Sequence, residues 1–177
     1  MTWTADGPQG NESAKCKWDL VEYTRGQGLD LGCGPFKTFP HFIGVDNGHH
    51  DEQFGWQNKA DIKVKTCEKL DVFGSSTMDF VFSSHLLEHF SFDAVPNTIK
   101  DWVRVIKPKG YLILYLPDED EYPKCGEPGA NPDHKWNVSY DKVVSVMEQV
   151  NRGWDLVKFE KRNKGDEYSL FFIFQIF

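Results

Sequence analysis

The sequence predicts one α/β domain with a mostly parallel sheet and an antiparallel last strand. Strand-like apolar segments are interleaved with helix-like segments through most of the chain, an order typical of a parallel sheet. The tail, from Trp154 to Phe177, instead holds two strand-like segments joined by a short charged turn, which indicates neighbouring antiparallel strands. The length of 177 residues fits a single domain.

The composition excludes several classes of protein. Hydrophobic residues make up 40% and aromatic residues 15%, which excludes a disordered or collagen-like chain. The net charge of −7 disfavours nucleic acid or an anionic membrane as a partner. The four cysteines are irregularly spaced without a CxxC pair, which indicates reduced thiols rather than a zinc or disulfide framework. Because no secretory signal or membrane-length apolar run is visible either, we expect a cytoplasmic protein without a membrane partner.

The elements follow from apolar patterning. Strands are predicted over residues 28–31, 42–46, 60–64, 78–83 and 111–116. A helix capped by Ser91 or Asp93 is predicted to end within residues 107–110, and a second helix to begin after Ser139, with Val143, Val144, Met147 and Val150 on one face. Residues 1–14 are expected to be a loose lead-in and residues 17–25 a short helix. We therefore divide the chain into a lead-in, 1–26, and a domain, 27–177, with a long loop over 117–137.

The glycine-rich segment at residues 28–35 is the strongest local signal. A predicted buried strand ends in Gly32-Cys33-Gly34, and glycines there let the backbone turn sharply and let a ligand approach main-chain N–H groups. The alternative is a plain strand-ending turn. The next strand ends in Asp46, a carboxylate placed to accept ribose hydroxyls, although it could instead be a solvated turn residue.

A nicotinamide-dinucleotide site fits these residues poorly. Lys37 stands where the third glycine of that fingerprint belongs, and Asp46 follows Gly32 by 14 residues instead of about 20. Only eight residues, including two prolines, separate the glycines from Ile43, so the helix between the first two strands is predicted to be short or missing. A nicotinamide-dependent oxidoreductase is therefore the weakest of three hypotheses.

The chain resembles the class I S-adenosylmethionine-dependent methyltransferases, in particular a compact, type-11-like methyltransferase domain. The matching segments, in the order of that family, are GLDLGCG (28–34), IGVD (43–46), CEKL (67–70), MDFVFSSHLLEHF (78–90) and WVRVIKPKGYLIL (102–114). The resemblance covers about residues 27–118 and implies a Rossmann-like fold, methyltransferase activity and S-adenosylmethionine as cofactor.

The resemblance also implies roles for individual residues. Asp30, Gly32, Cys33 and Gly34 would line the methionine portion of the donor, and Asp46 would bind the ribose with Asn47 close to the adenosine. Cys67 and Glu68 would flank the adenine. Ser83, Ser84 and His85 would face the sulfonium.

Three departures from the family pattern support a second hypothesis. Phe36 replaces the third glycine of the family's glycine-rich motif, and Thr66 stands where the family often has an acid shortly before Glu68. The helix between the first two strands is short or missing. A catalytically degenerate methyltransferase fold that serves as a binding or scaffold subunit is the alternative to an enzyme.

Candidate acid and base groups follow the fourth strand and lie in the long loop. A base is needed only if the acceptor must lose a proton, and His85, Glu88 and His134 are the candidates. His89 is interpreted as a helix-start histidine bonded to backbone. A metal site of His85, Glu88 and His89 is an alternative that we do not favour, and we expect no metal.

Two further segments each have two interpretations. Tyr122 or Trp136 in the long loop could stack on a sugar or ring, or Trp136 could be tucked into the domain. Residues 49–52 (HHDE) resemble a metal tract but are interpreted as solvated loop. The function predicted from sequence is in-line methyl transfer to a small-molecule or saccharide acceptor.

Overall fold

The computed structural model describes residues 11–49, 55 and 57–177. Seven strands form one sheet in the order β3-β2-β1-β4-β5-β7-β6. The strands are β1 (Gly28–Leu31), β2 (Ile43–Asp46), β3 (Ile62–Lys63), β4 (Met78–Ser84), β5 (Ile106–Pro117), β6 (Trp154–Arg162) and β7 (Ser169–Ile176). The helices are α1 (Glu12–Cys16), α2 (Val95–Val105) and α3 (Tyr140–Met147), with 3-10 turns at Lys17–Leu20 and Leu87–His89.

Strand direction matches the prediction. Strands β1 to β5 are mutually parallel, with Leu29 opposite Ile43 on one side and Val81 on the other. Strand β7 is antiparallel to both of its neighbours, β5 and β6, and lies between them. The predicted mostly parallel sheet with an antiparallel last strand is therefore confirmed.

The sheet is buried on both faces, as its apolar strand sequences require. On one face Leu29, Val81 and Leu114 pack with Trp102 of α2 and Val143 of α3. On the other face the core includes Phe42, Phe80, Phe82 and Tyr115, together with Cys16 and Leu20 from the N-terminal segment. Each fully buried large apolar side chain stabilises the fold by about 1.5–3 kcal/mol.

No helix connects β1 to β2. Residues 32–42, all of which the structure describes, form successive turns. Asp30 fixes this connection, because its Oδ2 accepts a hydrogen bond of 2.7 Å from the Thr38 N–H. The sequence predicted that the helix between the first two strands would be short or missing, and this prediction is confirmed.

Several predicted boundaries were wrong. Helix α2 ends at Val105, and β5 begins at once at Ile106, which pairs with Met78; residues 107–110 therefore belong to the strand rather than to the end of the helix. Part of the expected loose lead-in forms α1, whose Cys16 is buried, and the expected helix over 17–25 is only a 3-10 turn.

The predicted helix caps also differ from those observed. Helix α2 has Ala94 at its N-cap, so neither Ser91 nor Asp93 caps it with a side chain. Ser139 does occupy the N-cap of α3, but without a side-chain hydrogen bond. On α3 it is Val146, rather than Val144, that is buried beside Val143 and Met147.

Among the described residues, no helix is both long enough and apolar enough to cross a membrane.

Candidate active site

The glycine turn after β1 contacts the end of β2. Gly32 and Gly34 have φ angles of +70° and +48°, which side-chain-bearing residues rarely adopt. The Gly32 N–H donates to the Val45 carbonyl (2.8 Å), and the Gly34 N–H donates to Asp46 Oδ2 (3.0 Å). A Cβ added to Gly34 would meet no heavy atom of the described residues within 4 Å, so among those residues one side of the turn is open to a ligand. The structure thus brings together the glycine turn and Asp46, which the sequence analysis assigned to one site.

Asp46 lies at the centre of this arrangement and is half-buried. Its Oδ1 accepts hydrogen bonds from the Gly48 N–H (2.6 Å) and from Asn58 Nδ2 (2.7 Å). With the Gly34 bond, three of the roughly four acceptor positions of an ionised carboxylate are in use. Asn47 is exposed beside it. Sequence reasoning missed Asn58, because a single amide in a polar loop carries no pattern.

Two of the residues that the resemblance places around the methyl donor are buried beneath the turn. Asp30 is 2% exposed, and burial raises its pKa to about 6 although the Thr38 N–H bond opposes this shift. The Cys33 thiol is also buried, and burial together with Asp30 raises its pKa. A Cβ on Gly44 would come within 2.8 Å of the Cys33 sulfur, so the turn packs directly on β2.

Cys67 and Glu68 follow β3 next to Asp46. Burial and the charge of Asp46 raise the pKa of the Cys67 thiol to about 12, so this thiol is not a nucleophile. The Cys67 carbonyl accepts a 2.7 Å hydrogen bond from Trp102 Nε1, which anchors the segment to α2. Thr66 contacts the Glu68 carboxylate at 3.3 Å, so the threonine that departs from the family pattern orients Glu68.

Strand β4 ends in three polar residues. The hydroxyl oxygens of Ser83 and Ser84 are buried and have no hydrogen-bond partner among the described residues. His85 adopts a left-handed backbone conformation, with φ of +48°. Its Nε2 lies 3.0 Å from Ser169 Oγ, and its ring packs edge-on against Tyr168.

Three imidazoles surround the buried carboxylate of Glu88. Its Oε1 lies 3.5 Å from His134 Nε2, 3.8 Å from His85 Nδ1 and 4.0 Å from His89 Nε2. Residues 87–89 form a 3-10 turn rather than the expected helix start, yet His85 and Glu88 still meet. The ring of His89 packs at a tilt against that of His134, with 5.1 Å between centroids.

Burial governs the protonation of this cluster. It raises the pKa of Glu88 to about 8 and lowers that of His134 to about 4. Burial, with the neighbouring His134, also lowers the pKa of His85 well below its usual value. His85 and His134 are therefore neutral near neutral pH, the form that accepts a proton or ligates a metal.

The N-terminal helix and the last strand complete the surroundings of His85. Glu12 Oε2 lies 3.7 Å from His85 Nε2, and Glu12 Oε1 accepts a hydrogen bond from the Tyr168 hydroxyl (3.1 Å). Sequence reasoning missed Glu12, Tyr168 and Ser169, because they are distant in sequence and belong to no motif.

The long loop reaches the same cluster. Tyr122 packs on His134, with 5.2 Å between ring centroids. Trp136 is buried in the core and donates from Nε1 to the Leu87 carbonyl at 3.3 Å, so it is tucked into the domain. Of the HHDE tract, His49 is exposed and residues 50–52 lie outside the described part of the chain.

Solved structures share this fold along nearly the whole chain. An S-adenosylmethionine-dependent methyltransferase from Archaeoglobus fulgidus is 17% identical with a TM-score of 0.63, over 92% of this chain and 94% of its own. One from Mesorhizobium loti is 14% identical with a TM-score of 0.66, over 96% and 100%. A possible histamine N-methyltransferase from Thermotoga maritima is 15% identical with a TM-score of 0.64, over 93% and 89%.

These likenesses define the fold as the Rossmann-like fold of methyltransferases. Residues 29–114 also match the sequence family described as a methyltransferase domain, and this stretch contains the glycine turn, Asp46 and the end of β4. The methyltransferase-domain match over residues 29–114 and the shared fold agree with the resemblance to class I S-adenosylmethionine-dependent methyltransferases. A comparison with curated proteins finds none of significant sequence similarity.

The site residues fit the donor S-adenosylmethionine. Gly34 leaves open space, Asp46 retains free acceptor capacity, and Ser83 and Ser84 present unpaired buried hydroxyls at the neighbouring strand end. Open space and polar groups therefore lie together at this edge of the sheet.

Proposed function

We propose that this methyltransferase acts on a small-molecule or saccharide acceptor that approaches the end of β4. The enclosure of His85 carries this proposal: its side chain is 13% exposed, behind Glu12 of α1 and the rings of Tyr115 and Tyr168. Such a group is reached only by a ligand small enough to pass between the N-terminal segment and the long loop. Tyr122 packs against both His134 and Tyr168, so it belongs to the same enclosure.

Two other observations support a small acceptor. The net charge of −7 opposes a polyanionic substrate. The Thermotoga neighbour, which shares this fold, is described as a possible histamine N-methyltransferase, and histamine is a small molecule. We also propose a cytoplasmic location, since all four cysteines are free and three are buried.

We propose that the donor lies against the glycine turn. Asp46 would bind the ribose hydroxyls, with Asn47 beside the adenosine and Cys67 and Glu68 flanking the adenine. The methionine portion would lie near the turn and the end of β4, at Asp30, Gly32, Cys33, Gly34, Ser83, Ser84 and His85.

The proposed mechanism is in-line methyl transfer. S-adenosylmethionine supplies a methyl group that its sulfonium has already activated, so alignment provides much of the rate. His85, neutral because of its lowered pKa, takes a proton from an acceptor hydroxyl or amine where one must be lost. Glu88 faces His85 Nδ1 at 3.8 Å and His134 Nε2 at 3.5 Å, and with them completes the proposed catalytic set.

The acceptor class is tested with a donor that carries an isotopically labelled methyl group. The protein is incubated with small-metabolite, polysaccharide, protein and nucleic-acid fractions of a cell extract, and label is followed by mass spectrometry. Label in the metabolite or saccharide fraction supports the proposal. Label confined to protein or nucleic acid overturns it.

The role of His85 is tested separately. We expect His85→Gln to lower turnover by about 10²–10⁴-fold, the usual contribution of a general base, and this loss should exceed any weakening of donor binding. His41→Gln, at an exposed histidine on another part of the molecule, is the control. Unchanged turnover in the His85 variant would rule out its role as base.

A further inference from the structure

The cluster around Glu88 has the composition of a metal site. One ligand atom each from Glu88, His89 and His134 lies within 4.8 Å of the other two. Two imidazoles and a carboxylate suit divalent transition metals such as zinc. Zn–N bonds of about 2.0–2.1 Å place tetrahedral ligands about 3.3 Å apart. The observed 3.5 Å and 4.0 Å from Glu88 Oε1 to the two histidines are close to that separation.

The carboxylate of Glu88 is an independent observation that points to a ligand. The side chain is fully buried, and neither oxygen accepts a hydrogen bond from any described residue. Burying a carboxylate without a partner is expensive unless a proton or a cation neutralises it. A bound cation would satisfy both oxygens, whereas the three imidazoles alone leave them without hydrogen bonds.

The long loop is tied to the Glu88 turn on both sides of His134. The Lys135 N–H donates to the Glu88 carbonyl at 2.8 Å. The next residue, Trp136, donates from its indole to the Leu87 carbonyl. On the N-terminal side, the His134 N–H donates to Asn131, whose own N–H donates to the Tyr122 hydroxyl. These bonds hold His134 in place opposite Glu88, which is the preorganisation that a metal site needs.

We propose that Glu88, His89 and His134 bind one divalent transition-metal ion of the zinc type. Three protein ligands leave a tetrahedral ion one open position, as in sites that bind a substrate oxygen rather than in closed structural sites. His85 lies beside this site, with Nδ1 3.8 Å from Glu88 Oε1. The ion is therefore placed where an acceptor oxygen would approach the end of β4. The placement of the ion beside an acceptor oxygen rests on the proposed function, whereas metal binding itself does not.

The test measures metal binding without donor or acceptor, so its failure is distinct from failure of the proposed function. Metal-stripped protein is titrated with Zn²⁺ against a chromophoric chelator, and Co²⁺ absorption reports the geometry. We expect each protein molecule to bind one equivalent of Zn²⁺ tightly. Because loss of an outer-shell partner alone costs 10–100-fold in affinity, Glu88→Gln and His134→Gln should each weaken Zn²⁺ binding by at least about 100-fold.

Two control variants exclude other zinc ligands. His49→Gln with His50→Gln removes the HHDE tract, and Cys125→Ser removes the only cysteine thiol that is not fully buried. Both should retain the tight equivalent. Circular dichroism of the metal-free variants checks folding, and His89→Gln, at a partly exposed ligand, replaces Glu88→Gln if the latter does not fold. Absence of a tight equivalent, or its loss in a control and not in the ligand variants, overturns the proposal.

Discussion

Asp46 gives the sharpest test of the donor site. Its carboxylate holds the glycine turn through the Gly34 N–H and the following loop through Gly48 and Asn58, and it retains capacity for the ribose. A hydrogen bond to a charged group contributes about 1.5–3 kcal/mol, so a ribose hydroxyl at the one remaining acceptor position accounts for about that much. Asp46→Ala should therefore weaken donor binding by between about 10- and 150-fold.

The assay is isothermal titration calorimetry with S-adenosylmethionine and with its demethylated product, and thermal unfolding confirms that the variant folds. Asn58→Ala is the matched control, since it removes one bond to the same carboxylate but leaves the carboxylate itself. We expect it to lose far less affinity. If Asp46→Ala binds donor as tightly as the native protein, the donor does not lie where we place it.

Three further predictions concern the turn, its support and α2. Gly34→Ala should cost about 1–2 kcal/mol because of the left-handed backbone, and should also weaken donor binding because its Cβ fills the open side of the turn. Burial raises the pKa of Asp30 to about 6, so its ionisation disfavours the folded state. That penalty is absent below pH 3.8 and complete above about pH 6, and Asp30→Asn should therefore gain thermal stability relative to the native protein as pH rises through this window. Trp102→Phe should cost about 1–3 kcal/mol in urea unfolding, because the buried Cys67 carbonyl loses its donor.

Each of these predictions has a result that contradicts it. Gly165 has a φ of +67° and equally open surroundings in the turn between β6 and β7, so Gly165→Ala shares the backbone strain; an equal loss of donor affinity in both variants would refute the turn as donor site. A stability difference for Asp30→Asn that does not vary with pH would show that Asp30 titrates normally. Unchanged stability of Trp102→Phe would show that water replaces the indole.

Local sequence patterns were sufficient for the strands and for half of the site. Buried strands are recognisable in the sequence as short apolar runs. The glycine turn and Asp46 lie at the ends of adjacent parallel strands, so the topology alone brings the turn and the carboxylate together. The boundary at residues 107–110 was predicted wrongly because a Lys-Pro-Lys-Gly run typically ends a helix. Here Lys107 binds Asp79 (2.8 Å) while the strand pairs with β4.

The cluster around Glu88 was only partly predictable. His85 and Glu88 are close in sequence, and their contact follows from the chain direction after β4. His134 and Glu12 reach the same place from 46 residues downstream and 76 residues upstream of Glu88. Their arrival depends on the path of the long loop and on the packing of α1 over the sheet, and no periodicity or spacing in the sequence encodes either.

The insertion of β7 between β5 and β6 constrains how the molecule is made. Strand β5, central and apolar, has no partner on one edge until the segment that forms β7 has left the ribosome. Until then the nascent chain exposes a hydrophobic strand edge, which other chains can pair with. The strands β1 to β4 can assemble early, but Tyr168 and Ser169, which border His85, are synthesised only after them. The surroundings of His85 are therefore complete only after this segment has been translated.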